Sequence, residues 1–224
     1  MHLGLNEVKH KISLDEYSLK DMALYFERYH GYTCKIETET QYIKFRIDKA
    51  SFPHLIGMQY AFDSRKDRNS IYKGENGFDL VKNGKVTTSV LRKAIKTNTI
   101  SNVAWKNVKN RIEYLPMFFN TIEKKSRLKI LISDDACRNT KLKGQNILFK
   151  CVKEDFNEVF PCLVLKAIKD EYIVIETFIV EPDISLIGNL REEIIKSIEL
   201  VAPLDNTQPF SRITKKTNIN LVTN

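Results

Sequence analysis

One histidine stands apart in this chain. Phe52-Pro53-His54-Leu55-Ile56-Gly57 sets an imidazole inside an apolar run, just after the alternating stretch Tyr42 to Ile47. Histidine is the side chain whose ordinary pKa lies nearest neutrality, so a single imidazole can take up or deliver a proton at physiological pH. The remaining histidines, His2, His10 and His30, all fall near the N-terminus. A second feature lies downstream. Residues 85–150 hold 15 lysines and arginines against 4 acids, a net +11 that exceeds the +8 of the whole chain. So concentrated a basic stretch favours a polyanionic partner, of which nucleic acid is the commonest, over a solvated surface with no partner. Lys106, Lys109, Lys124, Lys125, Arg127, Lys141 and Lys143 are the cations expected to meet phosphates. A histidine beside such a surface suits metal-free phosphodiester chemistry. The same pair of features suits a binding module in which the histidine is inert.

Missing motifs narrow the field. The chain has no GxxxxGK[ST], no GxGxxG after a strand, no HExxH and no GxSxG. Nucleotide-dependent, dinucleotide-binding, zinc-protease and serine-hydrolase readings therefore lose their anchors. A two-metal nuclease converges several carboxylates, whereas here Asp134-Asp135 sits in a basic loop and Glu176 in a strand. No metal and no cofactor are expected. Cys34, Cys137, Cys151 and Cys162 form no CxxC pair, and they read as buried, reduced thiols. No apolar run approaches the roughly 18–20 residues needed to span a bilayer, and the first residues lack the order of a signal peptide. A cytoplasmic protein without membrane contact is expected.

The elements that must position His54 follow from hydrophobic period. Leu14 to Tyr29 reads as a helix stopped by Gly31. Tyr32 to Glu37 and Tyr42 to Ile47 read as a hairpin. Ser51 can cap a helix running from Phe52 to about Phe62, with Pro53 in its first turn. That places His54 near a helix N-terminus, where the helix dipole disfavours an imidazolium. A loop is expected from Asp63 to Gly77, then a turn into a helix near Phe78 to Gly84, a helix capped by Thr87 or Thr88, and a helix from Ser101 to Phe119 that Pro116 breaks or kinks. From Leu128 the period becomes that of strands: Leu128 to Ile132, Ile147 to Val152, Phe160 to Lys169 and Tyr172 to Val180, with a loop at Asp134 to Gly144. Ser185 to Leu200 reads as a last helix. The fold class expected is α+β: N-terminal helices and a small hairpin packed on a C-terminal four-stranded antiparallel sheet. One α+β domain over 1–202 and a disordered polar tail over 203–224 are expected.

The histidine segment, preceded by the strand Tyr42-Ile43-Lys44-Phe45, resembles the F-x-H-L-x-G segment of a nuclease group carried by phage and mobile-element polyvalent proteins, related to barnase, EndoU, the colicin RNases and RelE. The lysine-rich helix with Asn110-Arg111-Ile112-Glu113 and the strands Phe160 to Lys166 and Tyr172 to Phe178 are similar too. The resemblance implies helices packed on an antiparallel sheet and RNA cleaved without metal across the sheet face. His54 would be the acid–base group. Lys166 would stabilise charge on the phosphate, Thr177 would donate to a phosphate oxygen, and Arg111 would contact phosphate through its fork. Each has a plainer reading: a helix histidine satisfied by a carbonyl, strand residues facing water, an arginine paired with Glu113. Glu176 and Thr177 cannot line one site unless a bulge intervenes. Trp105 either stacks on a base or fills the core, and Tyr60, Tyr72 and Tyr114 are further candidates. The implied function is a metal-independent endoribonuclease, a toxin or anti-phage effector with an antitoxin or inhibitor protein as partner. The alternative is a non-catalytic nucleic-acid-binding or partner-binding protein of a mobile element.

Overall fold

The computed structural model describes residues 8–62, 70–98, 102–125, 128–132, 145–154, 157–168, 172–183, 190–203 and 213–215. Helix α1 (Leu19–Glu27) starts at a capping box, in which Ser18 Oγ accepts from the Asp21 amide and the Asp21 carboxylate accepts from the Ser18 amide. The hairpin β1 (Thr33–Thr38) and β2 (Gln41–Arg46) follows, in register at Cys34 with Phe45 and Ile36 with Ile43. Next come two single-turn helices, α2 (Phe52–Leu55) and α3 (Met58–Ala61). Three longer helices, α4 (Gly74–Lys82), α5 (Thr88–Thr97, capped by Thr87) and α6 (Trp105–Glu123), complete the helical half. Strands β3 (Lys129–Ile132), β4 (Gln145–Phe149), β5 (Val152–Glu154), β6 (Asn157–Ile168), β7 (Tyr172–Glu181), β8 (Arg191–Glu193), β9 (Ile195–Val201) and β10 (Ile213–Lys215) make up the rest.

The expected four-stranded antiparallel sheet is replaced by one mixed sheet in the order β8-β3-β4-β6-β7-β2-β1-β9. Three readings of the sequence account for the difference. The early hairpin joins the late strands instead of standing apart, through a parallel bridge between Phe45 and Ile173. The segment expected as a last helix is extended from Leu190 onward, because β-branched Ile195 and Ile198 supply the free edge of β1 with a partner, Ile198 opposite Ile36. Within the expected tail, Ile213–Lys215 pairs with β2 at Gln41 to Ile43. Residues 204–212 and 216–224 of that tail, the Asp134 to Gly144 loop, and Ser185 to Asn189 lie outside the described residues.

The sheet curls almost into a barrel. Strand β8 sits at one end of the order and β9 at the other, yet only Ile194 separates them in the chain. One residue cannot cross a flat sheet of this width, so the two edges must meet. A polar clasp holds the seam: Thr40, in the β1–β2 turn, donates its hydroxyl to Glu193 of β8 at 2.6 Å.

Helix α6 packs on β6, β7 and β9 and on α1. Every residue from Arg111 to Ile122 is buried, and Pro116 sits inside the helix without ending it. Surrounding side chains hold it there. Phe119 meets Phe26 edge-on at 5.1 Å, Phe118 meets Phe178 at 5.3 Å, and Tyr25 Oη donates to the Pro116 carbonyl at 3.0 Å. A smaller apolar cluster, including Leu131, Ile147, Cys162 and Val164, occupies the other face of the sheet. Cys34 and Cys162 are buried thiols, Cys151 is exposed, and Cys137 lies outside the described residues. Among the described residues, no helix is long and apolar enough to cross a membrane.

Candidate active site

The segment that carries His54 is held by its apolar neighbours. Phe52, Leu55 and Ile56 are fully buried at i, i+3 and i+4. Phe52 packs on Phe26 at 5.4 Å and on Phe78 at 5.8 Å. Burying three such side chains stabilises the segment by about 5–9 kcal/mol, which is what lets one helical turn persist. With those three turned inward, His54 is left on the outer side, exposed. Asp48 shapes the entry by accepting from the Ala50 amide at 2.8 Å. Gly57 ends the turn at φ +82°, with its amide on the His54 carbonyl at 3.1 Å.

The continuous helix expected over Phe52 to Phe62 is therefore two turns broken at Gly57. Ser51 makes no side-chain cap, and a single turn has no useful dipole. The His54 pKa still lies below its ordinary 6.5, for another reason. Although the residue is exposed, the protein packed around the imidazole desolvates it. Glu176 opposes that effect by favouring the imidazolium, while Arg111 and Lys73 reinforce it. A neutral imidazole is the form that can accept a proton.

Arg111 is not the exposed arginine of the plainer reading. It is 8% exposed, and Glu113 is engaged elsewhere: by Lys109 at 3.5 Å, Lys11 at 3.7 Å and the Leu14 amide at 3.3 Å. The Arg111 fork crosses to β7 and α3. Nη1 donates to Thr177 Oγ1 at 3.1 Å and Nη2 to Tyr60 Oη at 3.4 Å, with the guanidinium 5.1 Å from the centre of the Tyr60 ring. Burial lowers the guanidinium pKa, and Tyr60 and Glu181 partly restore it.

A bulge brings in the last members. On β7, Thr177 pairs with Val164 and Ile175 with Leu165, so Glu176 is the extra residue. Ile173 and Ile175 are buried, and after the bulge it is Phe178 that turns inward. Two consecutive polar residues thereby come to the site: Thr177 meets Arg111, and Glu176 acts on His54. Lys166 enters through Glu176, its ammonium 3.7 Å from that carboxylate.

The cations expected to bind phosphate scatter. Lys106 lines a cleft of about 1040 Å³ in which Glu154, Glu158, Glu181 and Asp183 outnumber Lys106 and Lys11, a poor setting for a phosphate backbone. Lys109 faces a groove between α5 and α6. Lys124 and Lys125 close the C-terminal end of α6, and Arg127, Lys141 and Lys143 lie outside the described residues. Tyr72 stacks on Phe62 at 4.0 Å, and Tyr114 donates to Glu154.

Residues 18–201 match the model of the phage-Barnase-EndoU-ColicinE5/D-RelE like nuclease4 family. The chain belongs to this family. The match takes in every element from α1 through β9, and so the residues grouped around His54. Neither a curated protein nor a solved structure matches the chain. The sequence offers Glu176 only on condition of a bulge, and Tyr60 as one of three unranked tyrosines. The apolar period of β7 slips between Ile175 and Phe178, which marks the bulge. Tyr60 lies one turn beyond Gly57, close behind the histidine. Lys73 carries no such signal, because only the folding of α4 against α2 brings it near.

Proposed function

We propose that the chain is a metal-independent endoribonuclease. The carrying observation is a buried arginine whose fork holds the Thr177 hydroxyl of β7, the residue next to the Glu176 that acts on the His54 imidazole. His54 takes the proton of the substrate 2′-hydroxyl. The 2′-oxygen bonds to the adjacent phosphorus, the bond to the 5′-oxygen breaks, and that oxygen takes a proton from solvent. The products are a 2′,3′-cyclic phosphate and a 5′-hydroxyl. Because Arg111 occupies a lone pair of Thr177 Oγ1, the threonine proton is turned elsewhere, toward a phosphate oxygen, and the bond is strengthened by the charge behind it. Lys166 stabilises the charge that builds on the phosphate. Its exposed pair with Glu176 contributes about 1 kcal/mol or less, so a phosphate can displace it. An RNase acting inside the cell that makes it calls for an inhibitor protein, so the toxin or anti-phage role with its antitoxin belongs to the same proposal.

The test incubates purified protein with total RNA in EDTA and compares it with His54→Ala. Cleavage that survives EDTA and disappears in the variant is expected. Intact RNA with salt-sensitive binding makes the chain a binding module instead. Cleavage abolished by EDTA makes the nuclease metal-dependent, and cleavage unchanged in the variant removes His54 from the site.

A further inference from the structure

We propose that the groove between α5 and α6 is a second subsite, in which single-stranded RNA stacks a base on Trp105 and lays its phosphates along α5. This rests on the ribonuclease reading of the His54 site. The groove encloses about 560 Å³ and is lined by Trp105, Arg92, Lys93, Lys96 and Lys109, with Asp15 its one acid. Its lining combines a half-buried indole with exposed cations one and four residues apart on the same helix. A base needs a π-face to stack on, and a backbone needs a row of positive charge. Those two requirements together describe a single-strand site. An acidic peptide would use the cations and leave the indole idle.

Of the cations that the sequence offers for phosphate, Lys109 lines this groove. Helix α5 adds Arg92, Lys93 and Lys96, which point away from the buried Leu91 and Ile95. A short series of hydrogen-bonded residues links the groove to the His54 site. Thr97 lines the groove, the neighbouring Asn98 donates its Nδ2 to the Tyr60 carbonyl at 2.7 Å, and the Tyr60 hydroxyl accepts from Arg111. Trp105 and Arg111 are six residues apart on α6, a rise of about 9 Å. Along the axis a stacked strand covers that in about three nucleotides at 3.4 Å each, while passing about 120° around the helix. A base held on Trp105 would thus fix the register of the strand a few nucleotides from the scissile phosphate.

Trp105 is the single tryptophan of the chain, so intrinsic fluorescence reports on this groove alone. The probe is a 2′-O-methyl oligouridylate of eight nucleotides, which cannot undergo 2′-hydroxyl attack. Saturable quenching of the tryptophan is expected. Both Trp105 variants lack the fluorophore, so their affinities are read from the anisotropy of the same oligonucleotide carrying a fluorescein: Trp105→Phe, which keeps a ring, should bind near the wild-type affinity, and Trp105→Ala should weaken it about 5- to 150-fold. If the alanine variant misfolds, Arg92→Ala/Lys93→Ala/Lys96→Ala, all on the exposed face of α5, carries the same test. It should flatten the dependence of log affinity on log salt by about 2, from roughly 0.7 per phosphate. Binding without quenching, a triple variant with unchanged salt dependence, or equal quenching by polyglutamate would each overturn the subsite. The two proposals fail separately. Quenching by the oligonucleotide in a protein that cleaves no RNA keeps the groove and refutes the ribonuclease. Cleavage of RNA with no quenching does the reverse.

Discussion

Replacing Arg111 with methionine separates chemistry from architecture. The side chain is 8% exposed, and its fork spends two hydrogen bonds on Thr177 and Tyr60. Methionine fills the space of the stem without the charge. Losing bonds from a charged donor costs stability, but the variant no longer buries a guanidinium, so the net change should stay within about 2 kcal/mol. For a chain of this length that is a shift of roughly 8 °C or less in melting temperature. Catalysis should suffer far more. Arg111 aims the Thr177 hydroxyl and lends it charge, and losing one such preorganised donor typically costs about 10²–10³ in rate. Single-turnover cleavage of a short RNA in EDTA should therefore show kcat down about 10²–10³ with KM little changed, the mark of an interaction made mainly in the transition state. Arg111→Lys keeps the charge but not the fork, and should fall between the two. A folded Arg111→Met protein with kcat within about threefold of wild type, or with the loss confined to KM, would refute the reasoning.

Three other outcomes can be checked directly. Glu176 favours the imidazolium of His54, whose pKa already lies below 6.5; Glu176→Gln should move the acidic limb of the kcat/KM profile to still lower pH, whereas a move to higher pH would contradict the field assigned to Glu176. Gly57 is at φ +82°, and an added Cβ would come within 3.1 Å of the Tyr60 ring and 3.2 Å of Val108; Gly57→Ala should cost about 1–2 kcal/mol, roughly 2–8 °C by calorimetry, and unchanged melting would count against the left-handed turn. Burial works to raise the pKa of Glu193, but Thr38, Thr40 and Arg191 together hold it below the ordinary 4.5; its contribution to stability is present above 4.5 and is lost as pH falls through the lower folded value, so denaturant curves of Glu193→Gln and wild type should differ at neutral pH and converge in acid.

Local chemistry made part of this fold legible. The β1–β2 hairpin, the Thr87 cap and the strands at Lys129, Phe160 and Tyr172 are set by near-neighbour patterns, and they stand where those patterns put them. Non-local pairing was harder to see. Ile194 to Leu200 carries apolar residues at spacings that fit a helix or a strand, and the empty edge of β1, some 160 residues earlier, decides between them. Pro116 would break a helix exposed to water, but it is tolerated where packing surrounds the helix. At the candidate site, the histidine segment stands out in the sequence by residue type and apolar setting. The direction of the His54 shift followed from placing it near positive charge, although the cause is desolvation together with Arg111 and Lys73, not a helix dipole. The Arg111–Thr177 bond spans 66 residues and depends on a bulge in β7, and no local pattern encodes it.

The central claim is the route of bond breaking, and the ends of the products test it most directly. RNA cut by the wild-type protein in EDTA and read by mass spectrometry should carry 2′,3′-cyclic phosphates and 5′-hydroxyls, and a single 2′-deoxy substitution at the cut position should block cleavage there. Products with 5′-phosphates, or cleavage unaffected by the missing 2′-hydroxyl, would contradict the account.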